Sequence, residues 1–254
     1  MDIEPLAGRE HFPAVSKSTY LNAASIALMY KGASEAAVAW QRDLAQNGTL
    51  SFNEAAEQNI FSGLHDGFAR LIGAHPGDIA VGSSFTELVA SLAWAMMPAR
   101  GENIVGVDVV FPSTIYPWLR VAHTTGCQIR LLPTTDYYAD QEELVGLIDD
   151  NTAVVAISHV EFGSGQRYDL RRLSEVAHSH GALLVVDATQ SAGAIPIVSA
   201  RFPDRFSRTI VDFLKEQGVI VSPRADFVRF SPHLYNSSDD IDLALEVLDR
   251  AGVF

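Results

Sequence analysis

From residue 78 to residue 189 the chain alternates between two textures. Short β-branched and aliphatic runs, "DIAVGSS", "NIVGVDV", "CQIRLLP", "TAVVAISHV" and "ALLVVDAT", each end in small or polar residues. Between them, apolar residues recur every three or four positions. Nearly continuous apolar runs mark strands buried on both faces, and the helical stretches supply the crossovers of a parallel sheet. The pattern predicts five buried strands, with helices over 85–97, 112–123, 141–148 and 170–180, the last closed by Gly181. Ahead of the first strand, "SFNEAAEQNIFSGLHDGFARLIG" predicts one long amphipathic helix, capped by Ser51 or Asn53 and ended by Gly73. After Ala200 the texture changes. A helix is expected from about 204 to about 217, then two short strands around "VIVS" and "DFVRF", and a last helix from about 239 to about 250. The expected fold class is α/β: a large domain over 1–200 with a mainly parallel sheet of about five strands, and a small C-terminal α+β domain over 201–254.

Composition narrows the chemistry. The 254 residues, 48% of them hydrophobic, suffice for one large core with a smaller satellite. A formal net charge of −13, from 18 Lys and Arg against 31 Asp and Glu, opposes binding to a phosphate backbone, so no nucleic-acid partner is expected. Cys127 is the single cysteine, which excludes an internal disulfide or a thiolate metal cluster and suits a reducing cytosol. The opening "MDIEPLAGREHFP" has no basic stretch leading into an apolar one, and no apolar run approaches the ~20 residues of a membrane span. A cytoplasmic protein without a membrane partner is expected. His178 and His180 lie two apart on a predicted helix and point to different faces, so no metal site is expected there.

In a parallel sheet, function gathers at the carboxyl ends of the strands. After the first run, Gly82, Ser83, Ser84, Phe85 and Thr86 lead into a helix. Backbone N–H groups at such a start suit a phosphate or carboxylate, although serine and threonine there are also ordinary helix caps. The fourth run ends in Ser158 and His159, the fifth in Asp187, with Gln190 beyond it. A carboxylate ending an apolar strand needs a partner, and Asp187 serves either a ligand or the following turn. His159 is open to two roles, a dyad with Asp187 on the neighbouring strand or a hydrogen-bonded core residue.

These stretches together resemble the class V aminotransferase family of fold-type I pyridoxal-phosphate enzymes. "YLNAASIAL", "GSSFTELV", "FPSTIYPWL", "SHVEFGSGQRYDL", "LLVVDATQSAGAIPI" and "GVIVSPRADFVRFSPHLYNSSDDID" follow the family's order along nearly the whole chain. The resemblance implies that Asp187 faces the pyridine nitrogen, Gln190 the ring oxygen, Ser84, Phe85 and Thr86 the phosphate, and Phe111 the ring face. It also implies that Arg224, with Asn22, holds a substrate carboxylate. The family's Schiff-base lysine follows the Asp-x-x-Gln strand together with two further strands, and here that segment is missing. The three lysines, Lys17, Lys31 and Lys215, lie in other contexts. Ordinary pyridoxal-phosphate catalysis is therefore not expected; no cofactor is expected, with non-covalent pyridoxal phosphate left open.

Loss of two strands between the fifth run and the first would leave a gap of roughly 10 to 15 Å. The first strand is expected to move over and pair with the fifth, the alternative being a second chain. Two functions stay open. One is a repurposed enzyme that acts on a small carboxylate-bearing molecule, with His159 and Asp187 as acid–base groups. The other is a noncatalytic protein that pairs with itself or with a full-length relative. A homodimer is expected, with Trp40, Phe52, Phe61 and Trp94 as candidate surface residues.

Overall fold

A computed structural model describes residues 3–193, 197–203 and 205–252. The elements in chain order are β1 (Thr19–Tyr20), α1 (Lys31–Asn47), α2 (Glu54–Asn59), α3 (Ser62–Ile72), α4 (Phe85–Met96), β2 (Asn103–Val107), α5 (Pro112–Thr125), β3 (Gln128–Leu132), α6 (Gln141–Val145) and β4 (Thr152–Ser158). They continue with α7 (Leu170–Ser179), β5 (Leu183–Asp187), β6 (Val198–Arg201), α8 (Ser207–Glu216), β7 (Val219–Ile220), β8 (Ser222–Arg224), β9 (Phe227–Phe230) and α9 (Ser238–Arg250). Among the described residues no helix is long and apolar enough to cross a membrane.

Two compact units divide the chain, Gly82–Ser199 and the combination of Met1–Val81 with Ala200–Phe254. The join at Ala200 lies where the texture of the sequence changes, but the first 81 residues group with the C-terminal segment and not with the sheet. Strand pairing gives the physical reason: Thr19 and Tyr20 lie parallel to Val219 and Ile220, and Asn22 bridges to Ser231. Leu21 packs among Ile210, Leu214, Val219, Val228 and Val247 in the core of this unit.

In the Gly82–Ser199 unit the strand order is β3-β2-β4-β5, all parallel. The two inner strands, β2 and β4, are buried almost throughout. Ile104, Val105, Val154, Val155, Ala156 and Ile157 join Trp118 of α5 and Leu173 of α7 in one core. Local chemistry sets the helix ends. Pro112 occupies the first turn of α5, where a missing N–H costs nothing, and Gly126 ends that helix at φ 80°. Asp169 caps α7 by accepting from the N–H groups of Arg171 and Arg172 at 3.0 and 3.1 Å.

The expected α/β class with a mainly parallel sheet holds, and among the described residues this sheet has four strands. The "DIAVGSS" run begins in a 3-10 turn at Pro76–Asp78 and pairs with no strand, so the expected move to the side of β5 does not occur. Among the described residues, the outer edge of β5 is unpaired. The long helix expected over 51–73 is divided into α2 and α3. At the break the Asn59 side chain donates to Ala55 O and Ser62 Oγ donates to Asn59 O, local bonds that compete with the helical ladder. Asn53 does cap α2, through the Ala56 N–H, and Gly73 ends α3 at φ 70°. Residues 194–196 of the "AGAIPI" stretch, and Asp204 at the expected start of a helix, lie outside the described residues.

Candidate functional site

The ends of β4 and β5 bring together most of the polar residues singled out from the sequence. Ser158 is in register with Asp187, and the N–H of His159 donates to Asp187 O at 2.9 Å. Asp187 is buried, and its carboxylate accepts from Thr114 Oγ1 at 2.8 Å and from the N–H of Thr189 at 2.9 Å. Of the two roles open to His159, the structure shows no side-chain bond to Asp187: the two meet through backbone, and the Asp187 carboxylate takes its bonds from Thr114 and Thr189. The half-buried His159 ring has its pKa lowered, by burial and then by the charge of Arg167. Both causes disfavour the charged form of the ring.

The start of α4 is tied to the same place. Thr86 Oγ1 donates to Ser113 Oγ at 2.7 Å, one residue before Thr114 on α5. Ser84 caps α4 by accepting from the Glu87 N–H, while Ser83 donates through its N–H and hydroxyl to Glu87 Oε2 at 2.8 and 2.5 Å. These bonds lower the pKa of the exposed Glu87 carboxyl, with the Ser83 hydroxyl as the main cause. The capping reading of this loop is thus visible at Ser84, and the Ser83 and Thr86 hydroxyls are engaged with Glu87 and Ser113. Phe85 begins the helix and packs partly against the core. Phe111, at the N-cap of α5, is partly exposed and meets Phe162 edge-on, with ring centroids 5.2 Å apart. Gln190 follows β5 in the turn after Thr189.

Sequence reasoning missed a buried acid in this cluster. Glu161, three residues beyond β4, is 1% exposed, and neither carboxyl oxygen has a hydrogen-bond partner. Burial, and then the charge of Asp187, push its pKa up to about 8, while the Tyr168 hydroxyl draws it back. One signal was available: an acidic residue interrupts the apolar exit of a buried strand.

The second cluster belongs to the other unit. Arg224 donates to Pro223 O at 2.9 Å and to Ser25 Oγ at 3.0 Å, and its buried Nε has no hydrogen-bond partner. Arg229, 1% exposed, donates to the same Ser25 Oγ at 2.7 Å. Burial and then the neighbouring charge of Arg224 hold the Arg229 guanidinium down at about 10, while burial alone lowers that of Arg224. Asn22 stands beside this pair through its bridge to Ser231, with a buried Oδ1 that has no partner. Arg229 and Ser25 were not singled out from the sequence. An arginine inside the apolar run "DFVRF" carries a signal, whereas Ser25 carries none.

An open parallel sheet whose polar residues collect at the strand ends defines an α/β protein. The description "Aminotransferase class-V" matches residues 19–214, and the chain belongs to that family. It is 29% identical over 197 residues to an uncharacterized aminotransferase, YcbU, of Bacillus subtilis (strain 168), covering 78% of this chain and 52% of that protein. Over 158 residues it is 29% identical to a kynureninase of Pseudomonas fluorescens, 59% of this chain and 37% of that one. The chain thus spans about half or less of the length of these relatives. Among solved structures, the cysteine desulfurase CsdA of Escherichia coli superposes with a TM-score of 0.79 at 17% identity, covering 96% of this chain and 97% of that chain. A lysine-to-alanine mutant of C-DES, with glycine covalently linked to its PLP cofactor, superposes at 0.79 and 16% identity over 96% of this chain and 99% of that one. At these identities the superpositions establish the fold.

Proposed function

We propose that this chain is a class V aminotransferase-like protein that binds a small carboxylate-bearing molecule without Schiff-base chemistry. The observation that carries the reading is the meeting of two guanidinium groups, Arg224 and Arg229, at one hydroxyl, Ser25 Oγ. Two like charges brought together at partly or fully buried positions are unfavourable by themselves, and a carboxylate offset by charge-assisted hydrogen bonds relieves them. Asn22, with its unsatisfied Oδ1, supplies a further polar edge. Calorimetric titration with pyruvate and acetate tests the reading: saturable binding supports it, and no heat at millimolar ligand contradicts it.

Pyridoxal phosphate, the cofactor of the C-DES mutant, fits the strand-end cluster as a non-covalent guest. Asp187 would take the ring nitrogen, Gln190 the ring oxygen, Phe111 the ring face, and Ser84, Phe85 and Thr86 the phosphate at the start of α4. The group, when bound, supplies an electron-withdrawing ring. The span 82–199 contains no lysine, and Lys17, Lys31 and Lys215 are all exposed. A Schiff-base lysine works from a desolvated position, so none of the three is suited. The groups left for acid–base work are then His159 and Asp187. The single buried cysteine agrees with a cytoplasmic setting.

A second reading, an interaction protein that pairs with itself, is favoured by the apolar surface of the N-terminal helices. None of the 17 residues of α1 is buried, and Trp40 on it stacks edge-on with the half-buried Phe52. Phe61, Leu64, Phe68 and Leu71 around α3, and Trp94 on α4, are exposed as well. Apolar helix faces of this extent mark association surfaces. Light scattering over a dilution series should give the mass of a dimer; a persistent monomer mass rejects self-association.

A further inference from the structure

Of the groups at the strand ends, Glu161 is the one that neither capping nor packing explains. Its backbone is pinned on both sides, with the N–H donating to Gln166 O at 2.8 Å and the carbonyl accepting from Gly165 N at 2.9 Å. The side chain is thereby fixed in the interior, where both carboxyl oxygens lack hydrogen bonds. Asp187 acts on it from the end of β5, and Tyr168, 2% exposed, from the segment before α7. Asp108 at the end of β2 adds its charge on Tyr168, whose hydroxyl is pushed far up, chiefly by burial and then by Glu161. On the same segment as Glu161 stand His159 and, acting on it, Arg167.

Two carboxyls sharing buried space do not both ionise near neutrality, and hydrogen bonding decides which one carries the charge. Asp187 has two close donors, Thr114 Oγ1 at 2.8 Å and the Thr189 N–H at 2.9 Å, whereas only the Tyr168 hydroxyl acts on Glu161, beyond close hydrogen-bond geometry. We propose that Glu161 is a positioning residue that stays protonated beside Asp187 and so leaves the hydrogen-bonded Asp187 side chain as the group that meets a cationic ligand. The proposal deepens the reading of Asp187 given above and rests on it for its functional meaning. When a cationic nitrogen settles on Asp187, the charge opposing ionisation of Glu161 is neutralised and its pKa falls, while burial, the larger cause, still holds it up. The ligand class is a protonated ring nitrogen or amine.

The test follows the carbonyl stretch of an un-ionised carboxylic acid by infrared difference spectroscopy, wild type minus Glu161→Gln, from about pH 5 to about pH 9. The band should be present at neutral pH and fade with a midpoint near 8. In Asp187→Asn, which keeps Glu161 and removes the opposing charge, the midpoint should fall by about one unit or more. A midpoint that stays in place in Asp187→Asn assigns Glu161 a merely structural role and overturns the proposal, as does the lack of any such band at neutral pH. Glutamine reproduces the shape of the neutral acid, so a Glu161→Gln variant that cannot fold also counts against it. Failure of pyridoxamine 5′-phosphate to bind wild type would overturn the assignment of Asp187 to a ring nitrogen, and would leave the two infrared midpoints free to support or reject the proton on Glu161.

Discussion

Replacing Arg224 by alanine should weaken the binding of pyruvate or acetate by about tenfold or more and leave the melting temperature unchanged or slightly raised. A charge-assisted hydrogen bond between guanidinium and carboxylate contributes roughly 1.5 to 3 kcal/mol, which corresponds to at least about tenfold in affinity. The fold does not depend on this side chain: Arg224 is on the short strand β8 and its partners are Pro223 O and Ser25 Oγ. Its charge also bears on Arg229, so removing it relieves a repulsion. Arg229, by contrast, is 1% exposed on β9. Truncating so large a buried side chain leaves a cavity, and Arg229→Ala should cost about 2 to 4 kcal/mol in denaturant unfolding as well as weakening carboxylate binding. Loss of stability in Arg224→Ala with unchanged ligand affinity would favour the interaction-protein reading.

Asp187→Asn should weaken binding of pyridoxamine 5′-phosphate by about tenfold or more, read by the change in ligand fluorescence on titration. Pyridoxamine 5′-phosphate has no aldehyde, so exposed lysines cannot trap it. Circular dichroism should accompany the titration, because asparagine keeps the shape and one acceptor oxygen, for Thr114 Oγ1, and gives up the bond from the Thr189 N–H. What it removes is the negative charge opposite a protonated ring nitrogen. Affinity equal to wild type would place the ring nitrogen elsewhere.

Much of the fold could be read from periodicity, and the failures have identifiable causes. Helices α4, α5, α7 and α9 lie within a residue or two of their expected ends because capping residues such as Ser84, Pro112, Asp169 and Ser237 mark the turns locally. β2 to β5 are strongly apolar runs whose burial needs no knowledge of neighbours. The run "DIAVGSS" failed because strand identity belongs to a pair, and no adjacent strand offers it hydrogen bonds. α1 went unrecognised because its alanine-rich sequence, "KGASEAAVAWQRDLAQN", buries no face. The site divides in the same way. Asp187, Ser84, Thr86 and Phe111 stand at strand and helix ends that the pattern exposes, and the bonds Thr86–Ser113 and Thr114–Asp187 draw them into one cluster. Glu161, Arg229 and Ser25 were hidden because their meaning comes from burial and convergence between segments distant in sequence.

Whether the chain works without a Schiff-base link is tested most directly by intact-mass spectrometry after incubation with stoichiometric pyridoxal 5′-phosphate and reduction with borohydride. The expected result is a protein at its unmodified mass, because Lys17, Lys31 and Lys215 are solvent-exposed and the unit that carries Asp187 contains no lysine. A single adduct formed to completion and mapping to one of those lysines would contradict it.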